Sequence, residues 1–336
     1  LANTNPQIYN RIYNDDDWEN VNKDNKNIME DFLLEIKSQK KKETTLKQYR
    51  NDLRIILIYI YKYCNNECIL NLSKRDFRNF SLWTINDCAM SSARTNRLLS
   101  CARSLLSFCE EDDEYDYDVN CAKKVKGISR ESIRDVFFLK NEEVLALKDE
   151  LIKMGEYQKA TLVMLLYDSS CRKNEISQVQ KFSFLDQDKN VTNKVVGKRG
   201  KIFNLLYFSG TKQCVALWLE QRGNDDIPNL FVVGKDENKR AASPNSIYNW
   251  ITSLRKLYLK LFNKSLDFNV HSFRHLSLEA YSNGSHYVCK ELNLGAIPIE
   301  KLRLLANHSD ISTTNSYLRN KDLDELENLF GIKIEE

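Results

Sequence analysis

Apolar residues recur at helical spacing through the first third of the chain. Ile28, Phe32, Leu33 and Ile36 fall on one face, the three-to-four-residue rhythm of a helix with a single buried stripe. A basic stretch (Lys37, Lys40, Lys41, Lys42) separates them from a second striped segment, Leu46–Tyr63, for which Thr44 or Thr45 is the expected N-cap. Further helices are expected at Leu72–Met90 and Ala93–Cys109, so residues 26–110 read as a compact all-α module. Residues 1–25 are polar, rich in Asn and Asp and aperiodic, and are expected to form an arm.

The pattern breaks at Glu110–Asp118, where seven of nine residues are acidic. Like charges at that density resist burial, which predicts a charged linker over 111–136. Beyond it, a helix is expected at Asn141–Met154, followed by a long apolar segment, Ala160–Tyr167. Two β-rich segments, Val191–Val196 and Ile202–Ser209, flank Gly197-Lys198-Arg199-Gly200, a turn sequence that predicts a hairpin. Helical spacing resumes at Lys212–Arg222 and Ser246–Phe262, and several short helices are expected from His271 onward. The pattern implies a mainly α fold with a small β-sheet (α+β). Its second domain spans 137–321, and 322–336 forms a C-terminal helix or tail.

A length of 336 residues fits two domains. The longest apolar run, Ile55–Tyr61, has seven residues, against the ~18 of a membrane-spanning helix. No basic start followed by an apolar stretch suggests secretion. Nine cysteines are scattered without a Cys-x-x-Cys pair, and all four histidines lie beyond residue 270. Reduced thiols in a cytoplasmic protein are therefore expected, and neither a metal nor any other cofactor. The net charge of +3 is too small to announce a polyanionic partner.

Three islands carry chemistry: Ser169–Ile176 around Arg172, His271-Ser272-Phe273-Arg274-His275, and Leu304–Tyr317 with His308. Two arginines from separate segments can fork one phosphate between them. His271 and His308 can donate to its non-bridging oxygens or move protons. A lysine on a turn can protonate a leaving oxygen. The Tyr317 phenol can form a covalent phosphodiester once its proton is accepted.

In order and spacing these residues resemble the tyrosine recombinases, the family of phage integrases and chromosome-dimer resolvases, over roughly residues 140–330. The family's succession of Arg, hairpin Lys, His-x-x-Arg, His or Trp, and Tyr falls here on Arg172, Lys198, His271-x-x-Arg274, His308 and Tyr317. His308 and Tyr317 stand nine residues apart, and Glu175 follows the first arginine by three. The resemblance implies a metal-free catalytic domain that cleaves DNA through a 3′-phosphotyrosine and frees a 5′-hydroxyl. It further implies a helical core-binding domain that closes a C-shaped clamp on double-stranded DNA, homo-oligomers (dimer or tetramer) on that DNA, and a tail that docks on a neighbouring subunit. Lys47, Arg50, Arg54, Arg94, Arg97, Lys123, Lys124, Lys126 and Arg130 are the expected phosphate contacts, holding register and reading no bases.

The chain departs from the family's wording in places. Ser170 stands two residues before the first arginine and Asn307 stands before the late histidine, both positions where glycine is common. The interval between Arg274 and His308 is also longer than usual, with the excess near Tyr281–Gly295. Two functions follow: a site-specific recombinase or integrase, and a recombination-silent DNA-binding regulator, such as a phage repressor, that keeps the fold.

Overall fold

The computed structural model of the chain describes residues 8–129, 139–186, 188–315 and 318. They are mostly helical and divide into two compact units, Leu1–Asp135 and Val136–Glu336. Tyr317, Arg130, Arg134 and the 322–336 tail lie outside the described residues.

In the first unit the four expected helices form as α3 (Lys23–Ser38), α4 (Glu43–Tyr63), α5 (Lys74–Asn86) and α6 (Ser92–Glu111). The apolar run makes α4 the central helix. It is buried without interruption from Ile55 to Ile60, and α3 and α6 lie against it. Neither threonine caps it; Lys42 occupies the N-cap and makes no side-chain bond there. By contrast α5 starts at a reciprocal capping box of Ser73 and Asp76.

Two sequence expectations are corrected here. The stretch before α3 is not an arm throughout: α1 (Ile8–Ile12) and α2 (Asp15–Asn20) both lie against α4. Arg54 on α4 holds them, donating to the Tyr9 hydroxyl at 3.1 Å and placing its guanidinium 4.9 Å and 5.1 Å from the Tyr13 and Trp18 ring centres. The expected linker is likewise strapped to the unit as far as Ile128. Arg103 on α6 donates to the carbonyls of Ala122 (3.1 Å) and Val125 (2.8 Å). The buried Asn120 side chain donates to the Arg103 carbonyl at 2.9 Å, and Asn96 exchanges two hydrogen bonds with Ile128. Even the acidic run is anchored, by a buried Tyr117 and by the Tyr115 hydroxyl on Asp31 at 2.7 Å.

The second unit is built on α8 (Tyr157–Ser169), buried all round from Ala160 to Ser169. Around it lie α7 (Asn141–Lys153), α10 (Ser209–Arg222) and α12 (Val270–Ser282). Strands β1 (Val191–Val196) and β2 (Ile202–Leu206) form the expected antiparallel hairpin, with Val196 opposite Ile202. A two-residue pair, β3 (Val232–Val233) with β4 (Arg240–Ala241), is too short to show any period and was not expected. The single turn α9 (Lys173–Ile176), the long α11 (Pro244–Phe262) and the short α13 (Tyr287–Glu291), α14 (Ile299–Leu305) and α15 (Ile311–Asn315) complete it. All nine thiols are unpaired. Cys64, Cys68, Cys88 and Cys121 of the first unit are half-buried, and the remaining five are buried. Among the described residues no helix is long and apolar enough to cross a membrane, and no cluster of His, Cys, Asp and Glu could hold a metal ion.

Candidate active site

α8 ends at Ser170, which takes the left-handed conformation (φ 52°, ψ 24°). A residue with a Cβ pays roughly 1–2 kcal/mol for that, a conformation in which glycine is unstrained. Here Ser170 offsets the strain with a 2.6 Å hydrogen bond between its hydroxyl and that of Ser277 on α12. Asn307, the other departure, also has a positive φ of 53°, a conformation that asparagine tolerates. Both substitutions thus preserve the backbone turns that glycine would make.

Beyond Ser170 the chain extends to Arg172, the N-cap of α9. The buried Glu175 carboxylate accepts from the Arg172 amide at 2.8 Å and from Nη1 at 3.1 Å. One acidic residue therefore fixes both the backbone and the guanidinium of Arg172. The hairpin comes close to the same carboxylate through Gly197, where a Cβ would stand 3.2 Å from Glu175 Oε1 and 2.6 Å from the Phe203 ring.

Arg274, one turn into α12, is only 1% exposed. Nη1 donates to the Ser170 carbonyl; Nη2 donates to the Ala306 carbonyl at 2.7 Å and lies 2.6 Å from His308 Nε2. Guanidinium only donates, so Nε2 accepts and the His308 proton resides on Nδ1, directed at Thr314 Oγ1 at 2.9 Å. The imidazole is neutral: burial first, then the charges of Arg274, Arg172, Lys201 and His271, push its pKa down to about 3. Partial burial, assisted by His275, Arg274 and Arg172, likewise depresses His271 to about 4. His271 is exposed in the first turn of α12, with its ring 5.5 Å from that of His275. The site thus holds Arg172 and Arg274 beside two family-position imidazoles that are uncharged at neutral pH.

The structure brings Arg172, His271, Arg274 and His308 into one electrostatic neighbourhood. Tyr317 lies outside the described residues, on the chain immediately after α15. On the hairpin, Lys198 is exposed beside Arg199, whose φ is 60°. Lys201 is the lysine that reaches the site, its Nζ 3.3 Å from the Asn307 carbonyl next to His308. The family pattern asks only for a lysine on the hairpin, and nothing in the sequence chooses between the two.

Several residues expected to meet DNA have protein partners. Arg54 is held by Tyr9, Tyr13 and Trp18 as described. Arg94 and Arg97 converge on the buried Asp52 at 2.7 and 2.8 Å. Arg50 lies 3.6 Å from Glu30, and Lys123 lies 2.5 Å from Glu110. Lys47, Lys124 and Lys126 are exposed. Lys47, Arg94 and Arg97 line a shallow pocket of 600 Å³ with Thr44, Gln48 and Asn51.

No protein-family model matches the chain. It is 24% identical to a tyrosine recombinase of Thermosipho africanus (strain TCF52B), over 89% of this chain and 96% of that protein. It is 22% identical to the SPbeta prophage-derived recombinase-like protein YomM of Bacillus subtilis (strain 168), over 93% of this chain and 92% of that one. Among solved structures it superposes on the Tn1549 transposon integrase in complex with transposon right end DNA, with a TM-score of 0.67, 14% identity, and 90% of this chain and 99% of that one covered. A lambda integrase dimer bound to a COC' core site gives 0.65 at 13% identity, covering 87% and 94%. The chain is thus similar in sequence, over about nine-tenths of its length, to a tyrosine recombinase and a recombinase-like protein, and it carries the tyrosine recombinase fold.

Proposed function

We propose that the protein is a site-specific recombinase that binds double-stranded DNA at a particular sequence and cuts it with Tyr317. In this reading Arg172 and Arg274 hold the non-bridging oxygens of one phosphate. His271, neutral, supplies a further hydrogen bond or takes the phenol proton, while neutral His308 orients Arg274. The Tyr317 oxygen attacks phosphorus, and the 5′-oxygen leaves as a hydroxyl, protonated by a hairpin lysine. The hydroxyl of a partner strand then reverses the step. Two copies or four on DNA would supply the partner strands. Charge on the five-coordinate phosphorus is offset by guanidinium and imidazole donors already in place, the preorganisation that contributes most to many catalysed reactions.

The observation that carries this reading is Arg274, a buried guanidinium tied to His308 at 2.6 Å and to the Ser170 and Ala306 carbonyls. A nicked suicide duplex bearing the protein's own site tests it. A covalent adduct that forms with the wild type and disappears in Tyr317→Phe is expected. Tight, salt-sensitive binding to that site with no adduct would overturn cleavage and leave a DNA-binding regulator.

A further inference from the structure

We infer that Asp168 is a positioning residue for the guanidinium cradle, acting with Tyr287 and so making α13, in the long interval between Arg274 and His308, part of the active site's support. This rests on the recombinase reading only for its catalytic readout.

The last carbonyls of a helix have no partners within it. At the end of α8 they are taken by side chains from α12 and from the turn before α13. The Tyr167 carbonyl accepts from the Ser277 hydroxyl and lies 3.3 Å from His286 Nε2. The Asp168 carbonyl accepts from the Tyr281 hydroxyl at 3.0 Å, and the Ser170 carbonyl accepts from Arg274. Ser277 spends its one proton on Tyr167, so in the Ser170–Ser277 bond it is Ser170 that donates. The carbonyl that holds Arg274 and the backbone that leads to Arg172 are thus consecutive parts of one helix terminus.

What fixes that terminus laterally is the Asp168 side chain, which is 0% exposed. Oδ2 accepts from the Phe208 amide at 2.9 Å and the Thr211 hydroxyl at 2.6 Å, at the start of α10. Oδ1 accepts from the Tyr287 hydroxyl at 2.7 Å, the first residue of α13. Tyr287 accepts in turn from the Gly210 amide at 3.1 Å. Gly210 is required there, since a Cβ would stand 2.5 Å from the Met164 methyl and 2.9 Å from the Tyr287 hydroxyl. The neighbouring His286 is clamped between the Tyr167 and Tyr281 rings, at 4.1 and 3.9 Å between centres. One buried carboxylate therefore joins α8, α10 and α13 within a few residues of Ser170. A carboxylate held only by hydroxyl and backbone donors, with no cation among those partners, is costly to bury, and its location beside the cradle accounts for that expense better than packing does.

The test uses the full chain and the variants Asp168→Asn, Asp168→Ala and Tyr287→Phe. Two readouts are taken: the rate of adduct formation at saturating nicked duplex alongside DNA affinity, and the side-chain ¹⁵N–¹H resonances of Arg274 and His308. Displacement of a catalytic group by ~1 Å can cost about 100-fold. Tyr287→Phe, which keeps the ring, should slow cleavage by about ten-fold, with Asp168→Asn and then Asp168→Ala slower still. Affinity should hold and the Arg274 resonances should move. Unchanged rate and resonances in folded Tyr287→Phe and Asp168→Asn overturn the proposal. So does a parallel loss of rate, affinity and melting temperature, which marks a merely structural residue. A wild type that forms no adduct overturns the recombinase reading instead, and the Arg274 resonances then decide the positioning role by themselves.

Discussion

Arg94 and Arg97 in the first unit and Arg274 in the second are all held at close range, but by partners of opposite consequence. The first two meet a buried carboxylate, Asp52, at 2.7 and 2.8 Å. One of their two charges is thereby cancelled, and the pair ties α4 to α6. Arg274 is oriented by two carbonyls and a neutral imidazole, which consume donors and leave the charge intact. Two guanidiniums sharing one carboxylate tie helices together, whereas Arg274 is aimed by neutral acceptors; Arg172 lies between the two cases, with Nη1 on Glu175 at 3.1 Å. Basic residues along a sequence therefore say little about DNA until their partners are known.

The sharpest way to break this contrast is to remove the Arg274 guanidinium. Arg274→Ala should lower cleavage of the nicked duplex by about three orders of magnitude. DNA affinity should fall far less, because phosphate contacts elsewhere persist. Equal losses in both would show that Arg274 merely binds. Next in size is the hairpin. Lys201→Ala should slow adduct formation by about ten- to 100-fold and Lys198→Ala less, and the reverse order would return the role to the first lysine.

Asp52→Asn then tests the other half of the comparison. Losing the carboxylate should cost the first unit about 1–3 kcal/mol in denaturant unfolding. It should also raise non-specific DNA affinity, with a steeper salt dependence, as the two guanidiniums become available. Stability lost with no change in salt slope would mean that these arginines never face a duplex.

The smallest effect is in acid stability. An unfolded histidine titrates near 6.5, whereas burial holds His286 and His308 to about 3 in the folded chain. Between those values the unfolded state binds more protons, so stability falls as pH drops. Asp168, raised by burial to about 6, opposes this by binding its proton early in the folded state. With His271 also lowered, to about 4, three groups against one leave a net loss toward acid, and His286→Phe should flatten melting temperature against pH between 6 and 4. An unchanged acid limb in that variant would contradict it.

Much of this was legible in the sequence. The stripes on α3 to α6, the hairpin and the succession of Arg172, His271, Arg274 and His308 are all local patterns, and local patterns survive in a single chain. What was not legible depends on tertiary partners. Tyr9, Tyr13 and Trp18 show no helical period, and residues 8–20 fold back through tertiary partners: the Arg54 guanidinium beneath those rings, Lys62 on Asp17 and Asn66 on the Asn20 carbonyl. Seven acids in a row of nine read as solvent-facing, yet Tyr115 and Tyr117 between them anchor the strand. Ser170 and Asn307 looked like departures from the family, because letters do not reveal backbone angles. Lys201 could not be preferred to Lys198 without the Asn307 carbonyl in place.

The distribution of cysteines has a practical consequence. Every half-buried thiol belongs to the first unit, while Cys171, Cys214 and Cys289 of the second are sealed inside it. A maleimide dye applied to the native protein would mark the first unit alone. Fluorescence from that half, followed while DNA is added, would report its docking without any engineered tag and without touching the cutting chemistry.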